Sequence, residues 1–137
     1  MKISSVKIDS ARSEKGVWID NIPEFGDVRL LVRGWNNVAF RRMQQELMRA
    51  LPRAQRRGVT IDPKIQDQIN SKVMRETILF GWENITDDAG TPIPYDKELA
   101  GEWLDDPDMR AFFDAVIWAS MNVAEAVSED QDETAKN

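Results

Sequence analysis

Twice in this chain an Asp-Pro pair stands at the head of an apolar stripe of helical period, and these two helix starts constrain the fold more than any other feature. Aspartate at the cap accepts the free N–H groups of the first turn. Proline fits the first helical position because its missing N–H has no partner there in any case. After Asp62-Pro63, Ile65, Ile69 and Val73 fall on one face, and Met74, Ile78 and Phe80 extend the stripe to Gly81, a candidate C-cap. After Asp106-Pro107, the stripe runs through Phe113, Val116, Ile117, Ser120, Val123, Ala124 and Val127.

Two further helices are expected. Asn36 or Asn37 caps a segment in which Phe40, Met43, Leu47 and Leu51 share a face and Pro52 sets the limit. Asp96 caps a short one through Leu99 and Trp103. Upstream, Val17-Trp18-Ile19 and Val28 to Val32 are β-branched and apolar runs separated by Asn21, Pro23, Gly26 and Asp27, which predicts a hairpin of about 16–21 and 27–33. Because a lone hairpin is marginal in water, it must pack on helices or pair with a further strand. Residues 86–94, TDDAGTPIP, read as a turn. The expected architecture is mostly α: about four helices with a small N-terminal β-hairpin, as one domain over 16–127. Residues 1–15 are expected to be loosely ordered, with Ile3, Val6 and Ile8 able to form a short edge strand. The acidic stretch 128–137 is expected to be disordered.

The absences bear on function. The chain has no His and no Cys among its 137 residues. That removes imidazole and thiolate nucleophile activation, the common zinc ligands and any disulfide. The acids do not make up for it. Asp87 and Asp88 are adjacent in a turn, without the alternation a calcium loop requires, and Asp106 is better read as a cap. The glycines do not cluster into a phosphate-cradling loop, and RGWNN at Gly34 lacks the Lys-Ser/Thr such a loop carries. A non-enzymatic chain without metal or cofactor is expected. No apolar run approaches the roughly 20 residues that span a bilayer. MKISSVKIDSARSEK lacks the apolar core of a secretory signal, so a cytoplasmic protein is expected, with no membrane partner.

The formal net charge of −6 conceals a division. Residues 29–75 hold 11 Lys/Arg against three acids, and residues 76–137 hold three against 16. Either the halves neutralise each other within the fold, or the imbalance serves head-to-tail self-association or a separate charged partner. The basic stretch is built of arginine: Arg33, Arg41, Arg42, Arg49, Arg53, Arg56 and Arg57. Its planar fork pairs bidentately with carboxylates across protein interfaces. With no recognition motif and a sequence pI of about 4.7, an acidic protein surface is favoured over nucleic acid as partner. Trp35 and Trp82 each follow a glycine at an element boundary, where an exposed tryptophan is a common interface anchor. These nine residues are the candidate partner-binding set. For either tryptophan simple packing is the competing role.

The stretches LVRGWNNVAFRRMQQEL, residues 31–47, and ILFGWENITDDAGTPIPYDKELAGEWLDDPDMRAFF, residues 78–113, resemble the short tail assembly chaperones of long-tailed bacteriophages. With the apolar segment 62–80 between them, the resemblance covers roughly residues 15–127. Neither stretch is a catalytic signature, but their order and spacing are distinctive. The resemblance implies a chaperone that binds the tape measure protein in the host cell cytoplasm, keeps it soluble, helps recruit tail tube subunits and is absent from the mature virion. It also implies, for many such phages, a −1 ribosomal frameshift giving a longer form that contacts the tail tube protein. Ala135-Lys136-Asn137 can be encoded by GCA AAA AAC, which contains the slippery heptamer A AAA AAC. Wrapping a filament would suit a homo-oligomer. The alternative of a different class is a structural head–tail joining or tail-completion protein of the virion.

Overall fold

The computed structural model describes residues 14–35, 37–51 and 62–123. Three strands and four helices make up these residues: β1 (Val17–Ile19), β2 (Arg29–Val32), α1 (Val38–Arg49), α2 (Pro63–Thr77), β3 (Leu79–Glu83), α3 (Lys97–Asp105) and α4 (Arg110–Met121). A 3-10 turn, Pro107–Met109, leads into α4. The fold is mostly α with a small antiparallel sheet, and β1 and β2 form the N-terminal hairpin. Residues 52–61 (Pro52 included), Ile3, Val6 and Ile8, the end of the last expected stripe at Ala124 and Val127, and the acidic stretch 128–137 lie outside the described residues.

The caps follow the side-chain chemistry. Asn37, not Asn36, caps α1, its Oδ1 accepting the Phe40 N–H at 2.9 Å. Asp62 accepts from Lys64 N, Asp96 from Glu98 N and Leu99 N, and Asp106 from Asp108 N. Asp106-Pro107 therefore starts the 3-10 turn, and α4 follows from Arg110.

One element differs from the sequence reading. The helix begun at Pro63 ends at Thr77, and Leu79 to Glu83, expected to extend and close it, form strand β3. Ile78 donates its N–H to Met74 O as the last helical bond, and its carbonyl then accepts from Arg33 N. β3 pairs with β2 through Arg29↔Glu83, Leu30↔Trp82 and Leu31↔Gly81, giving a sheet of order β1-β2-β3. The hairpin finds its further strand here. Gly81 is thus no helix cap. A Cβ there would meet Leu31 Cβ at 3.3 Å and Trp18 at 3.4 Å, so glycine lets those side chains cross the strand.

Alternation along β2 places Leu30 and Val32 on the inner face and Arg29 and Leu31 on the outer. The inner face packs with α4, while α2 lies between α1 and α3. Val32, Ile78, Leu79, Val116, Ala119 and Val123 are fully buried where these elements meet. Asn37 ties the layers together, donating from Nδ2 to Gly34 O at 3.0 Å and to Thr77 O at 2.9 Å.

Candidate protein-binding surfaces

Of the nine residues the sequence singles out, Trp35, Arg41, Arg42 and Arg49 lie on one side of the molecule. Trp35 is 41% exposed; its ring leans on Phe40 at 4.7 Å and its backbone N–H donates to Ser120 O. That hydrogen bond sets the residue beside the last turn of α4, where Trp118 and Met121 are exposed, Met121 by 63%. Val38, 48% exposed, opens α1. Arg41, Arg42 and Arg49 follow it at i+3, i+4 and i+11, which is the same face. The other face of α1 turns Phe40, Met43 and Leu47 toward the core. Large apolar side chains are thus exposed at the start of α1 and at the end of α4, and three arginines lie on the exposed face of α1.

Arg33 is used internally. Its guanidinium pairs with Glu14 and lies 5.7 Å from the Phe80 ring. The second oxygen of Glu14 accepts the Val38 N–H at 2.9 Å, joining the arginine to the N-terminus of α1, where a negative charge is favoured. Arg33 Nε is buried and has no hydrogen-bond partner among the described residues. Arg53, Arg56 and Arg57 lie outside the described residues.

Trp82 is not a surface anchor. It is 5% exposed, its Nε1 donates to Ile93 O at 2.7 Å, and its ring stacks on Trp103. Tyr95 and Phe112 meet it edge-on at 5.0 and 6.0 Å. A glycine before a tryptophan marked a boundary in the sequence, but here it marks a strand crossed by its neighbours.

The two charged stretches meet at only two ion pairs among the described residues, Arg29–Glu83 at 2.8 Å and Arg75–Glu76 at 3.2 Å. Neutralisation within the fold is partial. No ion pair joins Arg41, Arg42 or Arg49 to a described residue.

A groove of about 770 Å3 lies beside the Trp82 cluster, and sequence reasoning missed it. Phe25, Ile85, Ile93, Trp103, Met109 and Phe112 supply its apolar surface. Asp27, Asp87, Asp88 and Asp108 stand exposed along it, and no Lys or Arg lines it. The turn 84–93 forms one wall. Asp87 Oδ1 holds that turn by accepting from Ala89 N and Thr91 N, each at 2.9 Å, while Gly90 supplies the left-handed φ of +84°. Each acid read separately is a solvated turn residue. Only the return of the chain in α3 and α4 sets apolar surface beneath them.

Among the described residues no group of three or more His, Cys, Asp or Glu is placed to hold a metal ion. No helix among them is long and apolar enough to cross a membrane. A family model described as YdaY prophage protein matches residues 34–137, which is more than half of the chain. No curated protein and no solved structure matches significantly.

Proposed function

We propose that this chain, which belongs to the YdaY prophage protein family and is therefore of phage origin, is a tail assembly chaperone. In this reading it binds the tape measure protein in the host cytoplasm, keeps it soluble and helps recruit tail tube subunits. A longer frameshifted form belongs to the same reading; sequencing the gene tests it, and the absence of an open −1 frame downstream would remove it. In this reading the protein works by holding other proteins and not by catalysis.

The observation that supports this best is the exposure of Trp35, Val38, Trp118 and Met121, with Trp35 hydrogen-bonded to the last turn of α4 and Arg41, Arg42 and Arg49 on the exposed face of α1. A packed domain rarely leaves large apolar side chains adjacent on its surface unless a partner covers them. Extended helical clients expose apolar stripes edged with charge, and an apolar surface bordered by guanidinium groups holds such a stripe without chemistry.

The direct test is co-expression with the tape measure protein of the same prophage, reading the client's soluble fraction. The expected result is a several-fold rise with the wild-type chain. An unchanged soluble fraction overturns the reading. Stoichiometric amounts of this chain in purified virions would instead favour a structural joining or completion protein.

A further inference from the structure

The groove beside the turn 84–93 has a chemistry that the surface around Trp35 does not. Its interior is apolar, the charged groups along its edge are carboxylates alone (Asp27, Asp87, Asp88 and Asp108), and none of those four forms an ion pair with a described residue. Asp87 spends one oxygen on its turn, but Asp27, Asp88 and Asp108 accept no side-chain hydrogen bond from a described residue. Asp106, not Asp108, caps the 3-10 turn. These three carboxylates therefore serve no internal structure, and an apolar occupant bearing cations would complement them.

The walls determine the occupant's backbone. On one side the turn is closed on itself, with Ile93 N donating to Ile85 O at 2.8 Å and Thr86 bridging to Pro92. On the other side Pro107 has no N–H, and the N–H groups of Asp108 and Met109 are both taken by Asp106. Neither wall offers a free strand edge, so an extended segment would leave its own backbone groups unpaired in the groove. A helix satisfies its backbone internally and presents apolar side chains at i, i+3, i+4 and i+7.

The groove is also preformed. Trp103 and Phe112 lie edge-on at 5.3 Å beneath it, held by the stack on Trp82. Little ordering is needed on binding, which favours affinity.

The α1 face of a second copy is the obvious rival, because it carries Arg41, Arg42 and Arg49. It fits the edge but not the interior. The apolar side chains of α1 other than Val38 turn inward to their own core, and Gln45 and Glu46 share its exposed face.

We infer that the groove between the turn 84–93 and the start of α4 receives a basic amphipathic helix of a separate protein, its apolar stripe on Ile85, Ile93 and Met109 and its Lys or Arg against Asp27, Asp88 and Asp108. This rests on the chaperone reading only for who supplies the helix. The stated chemistry stands on the groove itself.

The test uses a fluorescein-labelled synthetic helix with leucines along one face and lysines on both flanks, and the same peptide with glutamates for lysines. Binding to the full chain is read by fluorescence anisotropy. The lysine peptide is expected to bind with an affinity that falls as salt rises, and the glutamate peptide at least about tenfold more weakly. D27N/D88N/D108N is expected to lose at least about tenfold in affinity for the lysine peptide, and M109Q to lose affinity at all salt concentrations. E98Q/E102Q removes exposed acids on α3, away from the groove, and should leave binding unchanged. Circular dichroism of each variant checks that the fold is kept.

Equal loss in both acid variants would mean unspecific attraction and overturns the inference. So does equal binding of the two peptides. Self-association of the wild-type chain that D27N/D88N/D108N abolishes, seen by sedimentation, would place a second copy in the groove and likewise overturns it. In co-expression, a groove variant that protects the client as well as wild type does removes the client helix from this groove and leaves the chaperone reading standing. A wild-type chain that protects nothing removes the chaperone reading, while the peptide result still decides the groove.

Discussion

Trp82 and Trp103 stack face to face, their ring centroids 4.9 Å apart and their planes 14° from parallel. The pair joins the last strand of the sheet to α3 across the turn 84–93, which makes it a support for the groove as well as part of the core. Trp82→Ala is expected to cost about 3–5 kcal/mol, in the range for buried aromatics cut to alanine. Trp82→Phe keeps a ring and loses the bond to Ile93 O, so it should cost about 1–3 kcal/mol. Urea denaturation followed by far-ultraviolet circular dichroism measures both. A Phe variant as damaged as the Ala variant would show that the hydrogen bond outweighs the ring.

Asn37 both caps α1 and donates to two buried carbonyls. Asn37→Ala should therefore cost more than a surface cap, about 2–4 kcal/mol, because Thr77 O is left without its donor and Gly34 O keeps only the backbone N–H of residue 37. Asn37→Asp keeps the cap acceptor but turns a carboxylate oxygen on those carbonyls. It should be no better than alanine, although aspartate caps free helices well. The order of the two denaturation midpoints checks this.

Glu76 is held below the ordinary carboxylate value chiefly by its hydrogen bond from Lys97 Nζ at 2.7 Å; burial pulls the other way, and the charges of Lys97 and Arg75 add to the lowering. The stabilisation is therefore present above the ordinary value and is lost as pH falls through the folded value. Lys97 is 56% exposed, so the contribution is only about 0.5 kcal/mol. Lys97→Met should lower stability by about that amount at neutral pH, and the difference should shrink as pH falls through the folded value of Glu76. Urea midpoints at neutral pH and in acid give the comparison.

Tyr95 is the only tyrosine, which makes its titration readable in isolation. Burial raises its pKa, and the charges of Asp96 and Glu76 push the same way. Its hydroxyl donates to Leu79 O at 3.3 Å, a bond the phenolate cannot make. Stability should be unaffected below the ordinary phenol value and fall as pH rises above it. Absorbance titration should give a higher midpoint in the folded chain than in urea. Coincident midpoints would contradict this.

Arg41 and Arg42 are exposed and joined by no ion pair to a described residue. Charge reversal of both to glutamate should change stability by no more than about 0.5 kcal/mol. In the co-expression assay it should lower the client's soluble fraction severalfold. Full protection by that variant would take the arginine border out of the binding surface.

Local chemistry made most of the helices legible. Asp62, Asp96 and Asp106 announce their starts because a capping carboxylate, joined by a proline after Asp62 and Asp106, acts within one turn of chain. β3 was not legible for the opposite reason. Leu79-Phe80-Gly81-Trp82 is a short apolar run that suits a helix end as well as a strand, and only pairing with Leu30 and Leu31, about fifty positions earlier, decides between them. The same distance hid the groove and the burial of Trp82, since Ile93, Trp103 and Phe112 reach that tryptophan from three later segments. Arg33 stands out in the sequence as a contact residue because its charge is visible there, while Glu14 gives no sign of being its partner.

β3 hydrogen-bonds to β2, and β2 ends at Val32, two residues before the stretch that the prophage family model matches. The matched stretch thus lacks the strand that β3 pairs with. A fragment begun at Gly34 would present Leu79 and Trp82 on a bare strand, the kind of edge from which chains aggregate. Heredity and folding draw their boundaries at different places here, and expression of the matched segment alone should give an insoluble product.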